Sequence, residues 1–266
     1  MSLVFTPHFQ VDGLFPDVVL LSADNVTFHA HRQHLLAAST NFFGGALASQ
    51  ALHPIVLPET SVVLNIVLHL IYGMSVLRFQ PPFEAADAAL AALIGAYGVP
   101  AARLARSAPL FQLATSYAPY RPIDAYALAA HHGLEDIAVA VSAHLLAYDV
   151  SRVTDELSIK MGSVYFSRLY NLQQARLAAL KNIVLRPPAA HPPTPACNGD
   201  VQRELSRAWA FAAAQIVWTA LPSTSIGALQ SAFAQAGADI VCPDCQIMLQ
   251  SRVAEVTREW AAVKVA

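Results

Sequence analysis

The chain has 266 residues, too many for one minimal domain and suited to one large or two modest ones. Hydrophobic residues make up 55% of it and charged residues only 13%, so burying a sizeable core is no difficulty. A formal net charge of −2 excludes bulk electrostatic attraction to nucleic acid or to an anionic membrane. The first element in chain order is Asp17 to Leu21, a continuous apolar run rich in β-branched residues that reads as a short buried strand. Ser22-Ala23-Asp24-Asn25 supplies a turn, and Val26 to Phe28 returns as a second strand. From His31 the period changes to helical: Leu35, Leu36, Ser39, Phe42 and Phe43 share a face until Gly44-Gly45 breaks it.

Ile55-Val56-Leu57 is a third strand. Val62 to Tyr72 is a helix whose apolar stripe is Val62, Val63, Ile66, Val67, Leu70 and Ile71, with Asn65 and His69 on another face. Gly73 closes it. Val76 to Phe79 reads as a further short strand stopped by Pro81-Pro82, and Ala85 to Tyr97 as a helix stopped by Gly98 and Pro100. A related helix–Gly–helix layout recurs at Asp124 to His132, Gly133, and a helix carrying Leu134, Ile137, Ala138, Val141 and Leu145. More helix is expected from Val153 to Met161 and from Tyr165 to Leu180.

Arg186 to Pro195 is proline-rich, and its prolines favour extended polyproline II. It reads as a stiff linker, about 186–198, rather than a docking ligand for a proline-reading domain. Three helices follow: Val201 to Thr219, Ile226 to Ala236, and Cys245 to the end. The last has Leu249, Val253, Val256, Trp260 and Val263 in a narrow stripe. Trp209, Trp218 and Trp260 are expected in the core of these helices, with an interface role open for Trp260.

Phe28, His31, Leu35, Ser39 and Phe42 stand at i, i+3, i+7, i+11 and i+14 behind a strand opened by Asp17. This pattern resembles the BTB/POZ domain, with its Asp-led strand, F-x-A-H, Leu, Ser and Phe. The resemblance runs on through Leu57, Leu70-Ile71-Tyr72-Gly73 and Gly98-Val99, over about residues 15–106. The whole chain resembles fungal BTB-domain proteins with a helical extension. The resemblance implies an α/β domain, a short sheet capped by helices, followed by an all-α region (107–185, then 199–266 beyond the linker). It implies Asp17 and Arg32 lining a charged pocket at a dimer surface, and protein partners, a homodimer above all. Phe28, Leu35 and Phe42 are then core anchors, and His31 fixes the hairpin to the helix. A cullin-type ubiquitin ligase is a further partner of such adaptors, usually through an apolar-x-Glu motif. The matching stretch from Ala46 to Leu52 has no Glu.

Cys242-Pro243-Asp244-Cys245 is the sharpest chemical signal, since two thiolates at this spacing reach one tetrahedral Zn²⁺. With Cys197 and His191 it makes a candidate Cys₃His structural zinc site that uses every cysteine of the chain. A redox dithiol and ordinary buried cysteines are the competing readings; the βαβ setting of a thioredoxin-like motif is missing. His29, His31 and His34 have no carboxylate at ligand spacing, and Ser39 has no Gly-flanked elbow that would make it a nucleophile beside Asp17 and His31. No phosphate-binding glycine loop occurs. A non-enzymatic scaffold or adaptor is expected, with a zinc or thiol-redox enzyme as the reading from another class. The opening residues Met1 to His8 lack the pattern of a secretory signal. The uncharged stretch from Ala208 to Ala238 is interrupted by Gln215, Pro222, Ser223, Thr224, Ser225 and Gln230, leaving it short of the ~20 residues of a membrane span. Three cysteines fit an intracellular compartment, cytoplasm or nucleus, better than a secreted disulfide scaffold.

Overall fold

The structure is a computed structural model that describes residues 2–49 and 54–266. The chain forms two compact units, Met1–Val141 with Thr154–Gly162, and Ser142–Val153 with Ser163–Ala266. The division does not fall at the edges of the proline-rich segment, which lies wholly inside the second unit.

The first unit is built on a small mixed sheet of order β2-β1-β3. Strand β1 (Val18–Leu21) pairs antiparallel with β2 (Thr27–Ala30), Val18 opposite Ala30, and parallel with β3 (Ile55–Val56), Leu20 opposite Ile55. The hairpin turn is held by Ser22, whose hydroxyl donates to Asp24 Oδ1 at 2.6 Å. Asp24 also accepts from the backbone N–H and hydroxyl of Ser61 at 2.7 and 2.6 Å. One carboxylate thus ties the hairpin to the first turn of a helix far along the chain, satisfying a donor that the helix cannot satisfy itself. These donors, Ser22 foremost and then Ser61, hold the Asp24 carboxyl down at about 2.

Helix α1 (Arg32–Ala38) is followed by α2 (Ser61–Ile71), α3 (Phe83–Ala91), α4 (Ala101–Ala105), α5 (Ala108–Ser116), α6 (Pro122–His131) and α7 (Glu135–Ser142). Leu20, Phe28, Leu35, Leu64, Ile66 and Leu68 form the buried centre. Phe5 joins them, because residues ahead of the sheet run beside β2: Ser2 N–H donates to Thr27 O and His29 N–H to Phe5 O.

Four expectations are corrected here. Helix α1 stops at Ala38, earlier than its apolar spacing suggests. Ser39 leaves helical geometry, and its hydroxyl accepts from Phe43 N–H at 2.7 Å and Asn41 N–H at 3.2 Å. The register then slips by one: Phe42 (φ 56°) is 61% exposed, while Phe43 is buried and stacks on Tyr97 at 4.0 Å. Val76 to Phe79 is not a strand but ends in a 3₁₀ turn (Leu77–Phe79), closed by Gln80 in the left-handed region ahead of the two prolines. On α2, Val62 is exposed and His69 is buried instead, its Nδ1 facing Asn65 O at 2.7 Å. Burial depresses the His69 imidazole below its ordinary range.

The second unit is helical. Helix α8 (Asp155–Val184) is broken at Gly162, whose φ of 74° suits glycine; its later part packs with α9 (Gly199–Trp218), α10 (Ile226–Ala236) and α11 (Pro243–Ala261). Leu180, Val184, Leu205, Trp209, Phe233, Val256 and Trp260 are core. Trp209 stacks on Phe233 at 3.9 Å and donates to Val184 O. Trp218 corrects the sequence reading: it is 91% exposed at the end of α9. Two buried arginines fasten this unit through carbonyls. Arg252 donates to Ile183 O at 2.9 Å and Arg186 O at 3.1 Å, closing the carbonyl end of α8. Arg176 donates to Pro222, Val263 and Lys264 carbonyls and lies 4.3 Å over the Trp260 ring. No helix among the described residues is long and apolar enough to cross a membrane.

Candidate metal centre

The proline-rich segment is pinned at both ends. At its start, Arg186 offers its carbonyl to Arg252 and its guanidinium to Glu259. At its end, Asn198 caps α9, its Oδ1 accepting from Asp200 and Val201 N–H groups at 3.0 and 3.2 Å. Between them, Thr194 and Cys197 bridge backbone to backbone, and Thr194 Oγ1 accepts from Cys197 N–H. This tight turn aims Cys197, fully buried, at the N-terminus of α11. The segment is thus a strap, largely exposed along its length and anchored by the buried His191 and Cys197.

Helix α11 supplies the other two sulfurs. Cys242 is its N-cap, Pro243 sets its first turn, and Cys245 follows one turn in, buried. His191 is buried too. Its Nδ1 lies 2.7 Å from Pro192 O, which can only accept, so Nδ1 carries the hydrogen and Nε2 presents its lone pair to the cysteines. Gln202 of α9 donates to His191 O at 3.0 Å and fixes the backbone behind the ring.

One ligand atom from each of His191, Cys197, Cys242 and Cys245 lies within 4.8 Å of all the others. Cys197 Sγ is 3.7 Å from Cys245 Sγ, and His191 Nε2 is 3.3 Å from Cys245 Sγ and 3.5 Å from Cys242 Sγ. Bonds of the usual zinc lengths in a tetrahedron give edges of about 3.8 Å between sulfurs and about 3.5 Å from sulfur to nitrogen. The donors are thus spaced for a single four-coordinate ion, and too close to surround an iron–sulfur cluster. The backbone amide of Cys245 is the main influence lowering the Cys242 thiol to about 7, although it makes no regular capping hydrogen bond. Burial pushes Cys245 up to about 12 and raises Cys197. The Pro192 carbonyl raises the His191 imidazole. All four residues expected from the sequence as metal ligands are brought together.

The residues expected at a partner surface, Asp17, His31 and Arg32, are found at the hairpin-to-helix junction. Exposed Asp17 accepts from Arg32 N–H at 2.7 Å. The Arg32 guanidinium reaches across to the carbonyls of Leu47 and Ser49. His31 is buried: Nε2 bonds Leu14 O at 3.0 Å, and Nδ1 and backbone N–H both meet Tyr72 Oη, at 3.0 and 2.7 Å. Tyr72 accepts from the N–H and donates to Nδ1, so both ring nitrogens and the N–H of His31 have partners. His29 and His34 join no metal-ligating group among the described residues, and the Ser39 hydroxyl is taken up by its turn. Of the stretch weighed for a cullin motif, Ala46 to Ser49 is described and Gln50-Ala51-Leu52 lies outside the described residues.

The sequence reading missed Tyr72, Arg176, Arg252 and Asn198 as organising residues. Asn198-Gly199-Asp200 carries a helix N-cap signature that could have revealed the last; the arginines carry no such mark. Comparison of the chain with protein-family models, with curated proteins and with solved structures finds no match in any of the three.

Proposed function

We propose that the chain is a non-catalytic protein–protein interaction protein, a scaffold or adaptor, whose second unit is held by one structural Zn²⁺. The observation that carries this is the meeting of His191, Cys197, Cys242 and Cys245 within 4.8 Å. Four protein donors fill a tetrahedral zinc shell, leaving no position for a substrate or activated water. Bound zinc would supply cross-linking alone, tying the strap to the start of α11 at one point. Metal analysis of the purified protein tests the reading: one zinc per chain, lost with Cys245→Ser, is expected, and a metal-free protein from zinc-replete cells sinks it.

For the first unit, the proposal is a BTB/POZ-type homodimerising module. It is supported by an Asp-led strand entering a hairpin, by His31 at the hairpin–helix junction, and by Asp17 exposed beside Arg32. Light scattering tests it: a dimer at micromolar concentration, weakened by Asp17→Asn or Arg32→Gln, is expected. A monomer unaffected by either substitution removes it.

A further inference from the structure

Zinc is not the sole way in which the strap can be fastened to α11. Cys197 on the strap and Cys245 on the helix are in direct contact, Sγ to Sγ 3.7 Å, and both side chains are buried. A disulfide requires about 2.05 Å between sulfurs. Side-chain rotation at Cys197, which stands in a turn and not in a helix, can close that difference. Cys242 is the one cysteine partly open to solvent.

We propose that, without its ion, the same centre is an oxidation site for small hydroperoxides, in which Cys242 takes the oxidant and a Cys197–Cys245 disulfide is the end product. This rests on the reading of the centre as a metal-held staple, and makes the disulfide a second, metal-free staple of the same strap.

The steps balance. Cys242 thiolate attacks the peroxide; a sulfur–oxygen bond forms, the O–O bond breaks, and the second oxygen leaves, with a proton, as an alcohol or water. The Cys245 sulfur then displaces hydroxide from the Cys242 sulfenic acid, its thiol proton leaving with that hydroxide as water, and a Cys242–Cys245 disulfide forms. The Cys197 sulfur, in contact with Cys245 Sγ, attacks that sulfur; the Cys197 proton passes to Cys242, which departs as a thiol. Two thiol sulfurs are oxidised, one peroxide is reduced, and the products are one disulfide and two hydroxylic molecules.

The test uses the full-length protein, zinc-loaded and chelator-stripped, treated with hydrogen peroxide, alkylated and mapped by peptide mass spectrometry. In the stripped protein the expected product links Cys197 to Cys245 with Cys242 alkylated. Zinc loading slows its formation by at least ~10-fold, because the thiolates are coordinated. Cys242→Ser slows the peroxide reaction, yet diamide, which needs no sulfenic acid, still links Cys197 to Cys245. A final Cys242–Cys245 disulfide, or three alkylated cysteines, overturns the proposal. Zinc stoichiometry measured before stripping separates the two ideas: zinc bound without the cross-link removes only this inference, and the cross-link without zinc removes only the metal reading.

Discussion

Arg252 of α11 donates to Ile183 O of α8 at 2.9 Å while its other side meets Glu255 and Glu259. The last helix therefore supplies a donor to a carbonyl in the last turn of α8. Removing the guanidinium leaves the buried Ile183 carbonyl without this donor and takes a cation from Glu255 and Glu259, of which Glu259 keeps Arg186. Arg252→Met, which keeps the apolar stem, is expected to destabilise the second unit by about 2–4 kcal/mol, read by denaturant unfolding monitored through tryptophan fluorescence.

Tyr72 is the sole side chain serving both His31 Nδ1 and His31 N–H. Tyr72→Phe keeps the ring packing against Phe5 and Phe9 and deletes only the hydroxyl. A loss of about 1–3 kcal/mol is expected, and it should appear equally in a His31→Ala background only if the two residues act independently. Non-additivity in that double-mutant cycle measures their coupling.

Metal withdrawal should act locally. Cys197→Ser is expected to weaken zinc binding by at least ~100-fold in competition with a chromogenic chelator. Proteolysis in the 186–198 segment, suppressed in the zinc-loaded protein, should become the first cleavage. Unchanged cleavage would count against the staple.

His132 offers a pH signature. Burial, helped by the neighbouring His131, lowers its imidazole to about 4 from an ordinary 6.5. The neutral ring is favoured in the fold, so the contribution is fully present above pH 6.5 and drains away as pH falls toward 4. Partial solvent access reduces it to about 1–2 kcal/mol. His132→Gln should flatten this part of the stability–pH curve. Asp24 acts lower: with its carboxyl held at about 2, its contribution is present above pH 3.8 and lost only below it, a window that Asp24→Asn should erase.

Trp218 is an exposed tryptophan, so Trp218→Ala should change stability by less than about 0.5 kcal/mol. Its fluorescence should report solvent exposure in the intact protein, in contrast to Trp209 and Trp260.

The metal centre was legible because cysteines are scarce in this chain, and a C-x-x-C pair constrains what the third cysteine can do. Helix α2 was legible because Val63, Ile66, Val67 and Leu70 repeat at the helical period. What escaped has a common cause. Ser39 ends α1 through its own turn, so the choice between neighbouring Phe42 and Phe43 depended on a hydroxyl and not on hydrophobicity. Arg252 and Arg176 work on carbonyls, which every residue possesses and no letter of the sequence reveals. Trp218 falls past the last turn that packs, where an apolar letter looks the same whether covered or bare.

At Gly162 the backbone of α8 leaves helical geometry, with φ 74° and ψ 163°, where the sequence passes from one compact unit into the other. Any other amino acid there would have to hold a backbone geometry that L side chains resist. Gly162→Ala should therefore cost about 1–3 kcal/mol of stability, read by denaturant unfolding.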